Sequence, residues 1–597
     1  MYCSCIFNRI AIDQLSRDAP PCMSAAALSA AVDSINKQKT ASTLRRNQLR
    51  RSTQLKRQPL FGREGSGGRG ASLREAASPP ELPTSLPPLQ EFFCVCRMRL
   101  VIDLDEVMRM RDMVALVELN GACCRSIARK LRAEHIYCKI LPASATAADV
   151  AAQEPLGVIL AGGDSGVPYL VPDGAGWLDT GLPLLAMGDA ALGLCMSLGG
   201  SLSEGCATPE VAEITLSEQQ PDLFDQVETG ERYLTHPRWM TPPENVETIV
   251  TSPKGVLGFY QPEKKAYALA FQVEQNDPDG VQLLVNFCQR ICGCTAWWSN
   301  QAFVERAVEE IRRCVGDGEA VCALSGGVDS GVCALLGNMA IGSRLHCIFV
   351  DTGLLRKDEA SKVMTFYGDT MGLNLTRVDA KERFLSALAG VKAADEKEKI
   401  IFRLLSDELE TVVRALPNVR ILLQGTNYND TLAQGGQFPL SRVSAGMQVI
   451  EPVRELFKDE IRRVGEELGL PPMIIQRQPF PGSGLALRIL SDVTEEKLDI
   501  LREADAIFRG EIEETGQSKR LWQYFASLAD NPAEDGRNMV VTLRAVQVCD
   551  GSAAMAARLP YDLLEKVVQL IRERVPQVRR VVYDLPPSSN SQAVEWR

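Results

Sequence analysis

Histidine is nearly absent from this chain, with three in 597 residues. Eighteen cysteines are present, yet they show no repeated pair spacing, and a Cys/His metal cage is disfavoured. Cys288, Cys292 and Cys294 cluster without any histidine to complete a site. Cys322 and Cys333 lie in apolar runs, as buried free thiols do, which points to a reduced, cytoplasmic compartment. A long uninterrupted apolar run is also missing. The longest apolar window, Leu182 to Gly200, contains Asp189 and four glycines inside an α/β pattern, so no membrane span is expected. The chain lacks a positive balance too: its net charge of −11 argues against a general nucleic-acid binder. The exception is Lys37 to Arg74, where eleven Lys/Arg face one acid, Glu64; this stretch carries +10 and the remainder −21.

What is present is a glycine string, Leu324-Ser325-Gly326-Gly327-Val328-Asp329-Ser330-Gly331, between the apolar run Ala320-Val321-Cys322 and the helix-like Val332 to Leu336. A buried strand is expected to end in a turn that opens a helix. Glycines let backbone N–H groups crowd around an anion, and the helix start adds its positive end. Ser325 and Ser330 add hydroxyl donors, and Asp329 is the candidate to orient or ligate a divalent cation. The Lys-Ser/Thr ending of a Walker loop is absent, so the string suits a pyrophosphate better, with ATP cleaved between its α and β phosphorus atoms. An ordinary strand–helix turn is the competing reading.

The length predicts three to four domains. Residues 1–112 are rich in Ser, Arg, Pro and Gly and read as a disordered basic extension, with Met113 near the natural start. Over 113–297, strands at Val114–Leu119, Tyr137–Leu141, Gly157–Ala161 and Pro183–Met187 alternate with helices, predicting a parallel sheet covered on both faces. Residues 298–484 form a second such unit around the glycine string, with strands at His346–Asp351 and Ile421–Thr426 and an amphipathic helix marked by Leu456, Phe457, Ile461, Val464 and Leu468. Residues 485–597 mix helices and strands. The expected fold class is α/β: two doubly wound parallel-sheet domains followed by a smaller α+β domain.

The strings "LSGGVDSG", "FVDTGLLR" (Phe349 to Arg356), "EPVRELFKDEIR" (Glu451 to Arg462), "RQPFPGSGLALRIL" (Arg477 to Leu490), "VTLRAV", "LPYDLL" and "RVVYD" resemble GMP synthase over about 113–597. The glycine string alone marks the broader group of ATP pyrophosphatases. The resemblance implies a class I glutamine amidotransferase-like domain, an ATP pyrophosphatase domain and a C-terminal dimerisation and XMP domain. It implies that ATP, with Mg²⁺, adenylylates xanthosine monophosphate (XMP), after which ammonia displaces AMP to give GMP. Ser325 to Gly331 would bind the ATP phosphates, Asp329 would serve catalysis and the metal, and Val350 would lie near the nucleotide. Arg488 and Glu595 are implied substrate-binding residues. Gly425, Lys458 and Arg488 read equally well as functional or as a turn glycine and two solvated charges. A homodimer is implied, with the apolar helix Leu559 to Ile571 as a candidate surface.

The chain departs from the pattern where glutamine would be hydrolysed. "GLPLLAMGDAALG" aligns with the family's "GVPVLGICYGMQ", placing Gly188 at the nucleophilic cysteine. "AFQVEQ" aligns with "QFHPEV", placing Gln272 at the histidine and retaining only Glu274. Cys195 lies two helical turns past the elbow and His236 aligns with a different histidine, so neither substitutes. The expectation is an inactive glutaminase, with nitrogen supplied as free ammonia or by a separate glutaminase subunit. The family's "KSHHNVGGLP" lid is missing and Leu585 stands where a lysine belongs. These changes keep two other readings open: the same ATP chemistry on a different acceptor, or a non-catalytic nucleotide-binding paralogue.

Overall fold

Alternation of short apolar runs with amphipathic helices produces the expected layers. The computed structural model describes residues 112–597 apart from 120–122, 164–166, 169–175, 206–207, 219–220, 235–236, 272–277, 433–445, 532–538, 550–552, 586–588 and 591–597. The basic extension, His236, Gln272, Glu274 and Glu595 therefore lie outside the described residues.

The first sheet contains β1 (Val114–Glu118), β2 (Cys138–Pro142), β3 (Gly157–Ala161) and β4 (Leu184–Met187). Helices α1 (Cys123–Ala133) and α2 (Asp189–Ser197) follow β1 and β4. It continues through β5 (Glu210–Leu216), β6 (Gly230–Leu234), β7 (Glu247–Ser252), β8 (Gly255–Gln261) and β9 (Ala266–Leu269). The strand order is β2-β1-β3-β4-β9-β8-β7-β5-β6. The first five strands are parallel, as expected. The other half is antiparallel, which corrects the all-parallel expectation for this domain. The cause is local. Pro253-Lys254 joins β7 to β8 and a single helical turn, Pro262–Lys264, joins β8 to β9, and such short links allow only antiparallel return.

The second sheet is parallel throughout, in the order β12-β11-β10-β13-β14. Its strands are β10 (Glu319–Ala323), β11 (Leu345–Asp351), β12 (Leu375–Asp379), β13 (Val419–Leu423) and β14 (Gln448–Ile450). Helix α3 (Asn300–Val315) precedes β10, α4 (Val328–Ile341) follows it, and α5 (Ala394–Arg414) precedes β13. The chain leaves β10 in one direction to β11 and β12, then returns to its other side with β13. The strand order thus reverses between β10 and β13, and open parallel sheets bind ligands at that crevice. Helix α6 (Lys458–Glu467) packs beside α4.

The third sheet pairs β15 (Gln523–Asp530) with β16 (Met539–Cys549), covered by α7 (Glu495–Glu514) and α8 (Tyr561–Arg574). One continuous apolar core joins it to the second sheet: Ile348, Phe384 and Leu422 pack with Leu501, Phe508 and Leu543. Among the described residues, no helix is long and apolar enough to cross a membrane.

Two lysines hold the connection between these units. Lys397 on α5 is 1% exposed, and its ammonium donates to the carbonyls of Ala486 at 3.2 Å, Ile489 at 2.6 Å and Ser491 at 2.6 Å. Burial pushes this ammonium down to about 8, opposed by Asp492 and aided by Lys497. Lys497 grips the same segment through Ser491 Oγ at 3.0 Å and Asp492 Oδ1 at 2.8 Å. Lys397→Met leaves three carbonyls without their donor and is expected to cost about 3 kcal/mol. Thermal melts check this against Lys399→Met, an exposed neighbour expected to change stability by less than about 0.5 kcal/mol.

Candidate active site at the glycine-rich turn

Strand β10 ends at Ala323 and α4 begins at Val328, so the glycine string is the strand–turn–helix its composition predicts. Gly326 has φ +75°, and a Cβ there would lie 2.8 Å from Val363 Cγ2; only glycine fits. Gly327 is the helix N-cap, extended at φ −82° and ψ 163°, and contributes no side-chain cap. The turn is braced by the two serines. Ser330 Oγ accepts from Ser325 N at 3.2 Å, donates to the Gly327 carbonyl at 3.2 Å, and lies 3.0 Å from Ser325 Oγ. The hydroxyls thus fix the shape of the nest. An uncapped N-terminus on a long helix presents its amides, and the positive end of its dipole, to an anion.

Three residues distant in sequence complete the turn. Lys458, the first residue of α6, pairs with Asp329 Oδ2 across 129 positions. Arg477 donates to the Gly326 carbonyl at 2.8 Å and pairs with Glu359. The lysine missing from the motif is thereby supplied in space. Gly425, at the end of β13, explains itself: a Cβ would lie 2.9 Å from Asp329 C and from Ser330 N, so this strand end abuts the helix start. Asp329 Oδ1 is buried and has no hydrogen-bond partner among the described residues. Asp430 faces the same carboxylate. Burial raises its pKa, opposed by the Asn427 N–H and Lys458, while the charge of Asp329 raises it further. Val350 is the penultimate residue of β11 and is buried; Asp351, which closes the strand, accepts from Gly353 N at 3.1 Å and binds Arg377 at 2.6 Å.

A second polar cluster lies in the "RQPFPGSGLALRIL" segment. Arg488 is 2% exposed, with Nη1 3.6 Å from Asp505 Oδ1 and its guanidinium 4.2 Å from the centre of Phe525. Arg356 Nε is 3.7 Å from Asp505 Oδ2, and its guanidinium lies 4.2 Å from the centre of Phe480. Arg477 faces the same ring at 5.4 Å. Burial lowers the pKa of Arg356; Asp505 opposes this, and Arg509, Arg488 and Arg477 push it down further. Arg356 Nε and Nη2, Ser483 Oγ and Gln478 Nε2 are buried without hydrogen-bond partners among the described residues. Positive charge therefore exceeds negative around Asp505. Sequence reading passed over Arg356, Arg477 and Asp505. The first two stood inside quoted strings, but their convergence on Phe480 is tertiary.

In the first domain, Gly188 occupies the sharp turn between β4 and α2 with φ 59° and ψ −130°, the strained elbow that presents a nucleophile in hydrolases of this design. No side chain projects from it. The next amide, Asp189 N, donates to the Gly163 carbonyl at 2.8 Å, so a hydrogen bond that would serve an oxyanion is spent internally. Cys195 is fully buried, with Sγ 3.9 Å from the Ser201 carbonyl and 3.8 Å from the Thr241 carbonyl, and burial pushes its thiol up to about 11. Thiols that behave so are inert.

A glycine nest at the strand reversal of a parallel sheet, flanked by Lys458 and Arg477, defines a nucleotide-using α/β enzyme with a further α/β sheet ahead of it. Residues 299–521 match the family described as NAD synthase, and residues 510–596 match the GMP synthase C terminal domain. The glutamine-hydrolysing GMP synthase of Caldicellulosiruptor saccharolyticus is 38% identical over 516 residues, covering 81% of this chain and 99% of that protein. Those of Ruminiclostridium cellulolyticum and Clostridium novyi are each 37% identical, with the same coverage. A solved structure from Thermoplasma acidophilum, described as that of a GMP synthase subunit, is 21% identical, covers 30% of this chain and 94% of its own, and has a TM-score of 0.27. The chain belongs to the GMP synthase family: it is a C–N ligase of that type and uses ATP.

Proposed function

We propose that this enzyme makes GMP from XMP with ammonia that its own first domain does not generate. The XMP O2 attacks the α-phosphorus of ATP and pyrophosphate departs. Ammonia then adds at the activated carbon, AMP leaves with its oxygen, and a proton is released. The turn amides of Ser325 to Gly331, with Lys458 and Arg477 beside them, receive the leaving pyrophosphate, and Val350 lines the nucleotide side. The observation that carries this reading is the uncapped turn at the sheet's reversal, with Asp329 held by Lys458.

The residues present fit Mg²⁺. Asp329 Oδ1 lacks a hydrogen-bond partner, while no three His, Cys, Asp or Glu side chains among the described residues cluster to hold a metal alone. One carboxylate plus substrate phosphates and water suits Mg²⁺, which when bound neutralises charge on the leaving group. Arg356 and Arg488 supply excess positive charge for the acceptor's phosphate, and Glu595 is assigned to its base. Gly188 and Gln272, with Glu274 left alone, support free ammonium or a separate glutaminase as the nitrogen source. A homodimer through α8 and a cytoplasmic setting, supported by the free thiols, complete the reading.

ATP–pyrophosphate exchange tests it. XMP is expected to stimulate exchange at least about ten-fold more than other nucleoside monophosphates, with AMP formed on adding ammonium. One observation favours a different acceptor: Leu585, where the family carries lysine, is 70% exposed. Equal stimulation by all monophosphates would select that reading.

A further inference from the structure

We infer that Arg132, on the amidotransferase-like domain, is a positioning residue for the ATP site, so that this domain serves ATP binding through structure. The inference rests on the proposed role of the glycine turn. Lys458 is the cation paired with Asp329, yet its side chain is 38% exposed. A flexible lysine with over a third of its side chain in solvent is not fixed by packing alone, so the backbone that carries it sets its position. That backbone is the turn from Glu455 to Phe457, leading into α6.

Arg132 grips this turn from the other domain. Its side chain is 3% exposed; Nη1 lies 2.7 Å from Glu460 Oε2 and 3.0 Å from the Glu455 carbonyl, and Nη2 donates to the Cys138 carbonyl at 3.0 Å. Glu460 Oε2 also accepts from Phe457 N at 2.8 Å, so one carboxylate oxygen caps α6 and receives Arg132. Arg129 stacks 4.5 Å from the centre of Phe457. Glu455 accepts from Tyr137 and pairs with Lys139 at 3.4 Å, both in the first domain, and with Arg306 at 3.2 Å. The turn is thus clamped on one side by a domain without its nucleophile, and on the other presents Lys458 to Asp329. Ordinary packing between domains would need neither the shared carboxylate nor its position two residues from the catalytic ion pair.

The test is a mutant cycle on the full chain. AMP formation from ATP, XMP and saturating ammonium gives kcat and the KM for ATP. Arg132→Met and Glu460→Gln are each expected to raise the KM for ATP about ten-fold with a smaller change in kcat. In a Lys458→Met background the same substitutions are expected to add nothing, because they act through Lys458. Glu460→Gln keeps an acceptor for Phe457 N, so it decides the question if Arg132→Met does not fold. An unchanged KM for ATP, or an equal rise in the Lys458→Met background, overturns the inference. An equal rise for Lys254→Ala, whose ion pair with Glu210 lies within the first domain, does the same. If the wild-type enzyme makes no AMP from XMP, the proposed function fails separately. Calorimetric ATP binding by the same variants then reads the positioning, with a ten-fold weaker Kd expected and an unchanged Kd overturning it.

Discussion

Glutamine is expected to yield no GMP, while ammonium supports turnover with the same ATP and XMP. Loss of the nucleophile from a comparable catalytic unit costs about 10⁶-fold. Here the deficit is compound. Gly188 keeps the elbow, with φ 59° and ψ −130°, but has no thiol. Gln272 offers no base near neutral pH. The Asp189 amide is already bonded to the Gly163 carbonyl. Gly188→Cys alone is therefore expected to release no glutamate, because its thiol lacks a base. Gly188→Cys combined with Gln272→His is expected to regain measurable but weak hydrolysis. Coupled assays for glutamate and GMP check both statements. Wild-type glutaminase activity matching the ammonium-driven rate would defeat this account.

Asp329→Ala is expected to lower AMP formation by about 10²- to 10³-fold, the usual effect of removing one group that stabilises developing charge. The substitution also leaves Lys458 without its partner and removes the free Oδ1 proposed for Mg²⁺. Gly326→Ala tests the nest without altering charge. It places a methyl 2.8 Å from Val363 and forces a left-handed backbone at φ +75°, a strain of about 1–2 kcal/mol before any clash. AMP formation is expected to fall at least about ten-fold, and because Gly326 is buried against Val363 a lower melting temperature is expected as well. Steady-state AMP assays and pyrophosphate exchange measure this, with melts confirming that each variant folds. Wild-type rates in either variant would remove the glycine turn from the chemistry.

The two sites were legible to different depths, and particular residues show why. Strand, turn and helix around Gly326 follow from neighbours in the chain: apolar residues ending at Ala323, two glycines, then a helix-forming run. The elbow at Gly188 was legible only through the resemblance, by the alignment that sets Gly188 at the family's nucleophile position. The antiparallel half of the first sheet was missed, although Pro253-Lys254 between two apolar strands carried a local signal for a hairpin. Lys458 could not be distinguished from a solvated charge, because its partner Asp329 lies in a different element. Arg356 and Arg488 had no visible relation to one another until Asp505 and Phe480 came between them.

The sequence alone determined the local chemistry at one site: a glycine-rich strand–turn–helix without a Walker lysine. That feature depends on backbone freedom and side-chain type within a few residues, which no later packing changes. Only the tertiary structure decided which cations face the nest, which acid gathers the arginines, and that Arg132 of the first domain reaches the turn carrying Lys458. Most such pairings join residues more than a hundred positions apart, as Lys458 with Asp329, Arg356 with Asp505 and Arg132 with Glu460. They are set by the crossing of helices over a sheet and by burial, and local periodicity carries no record of either.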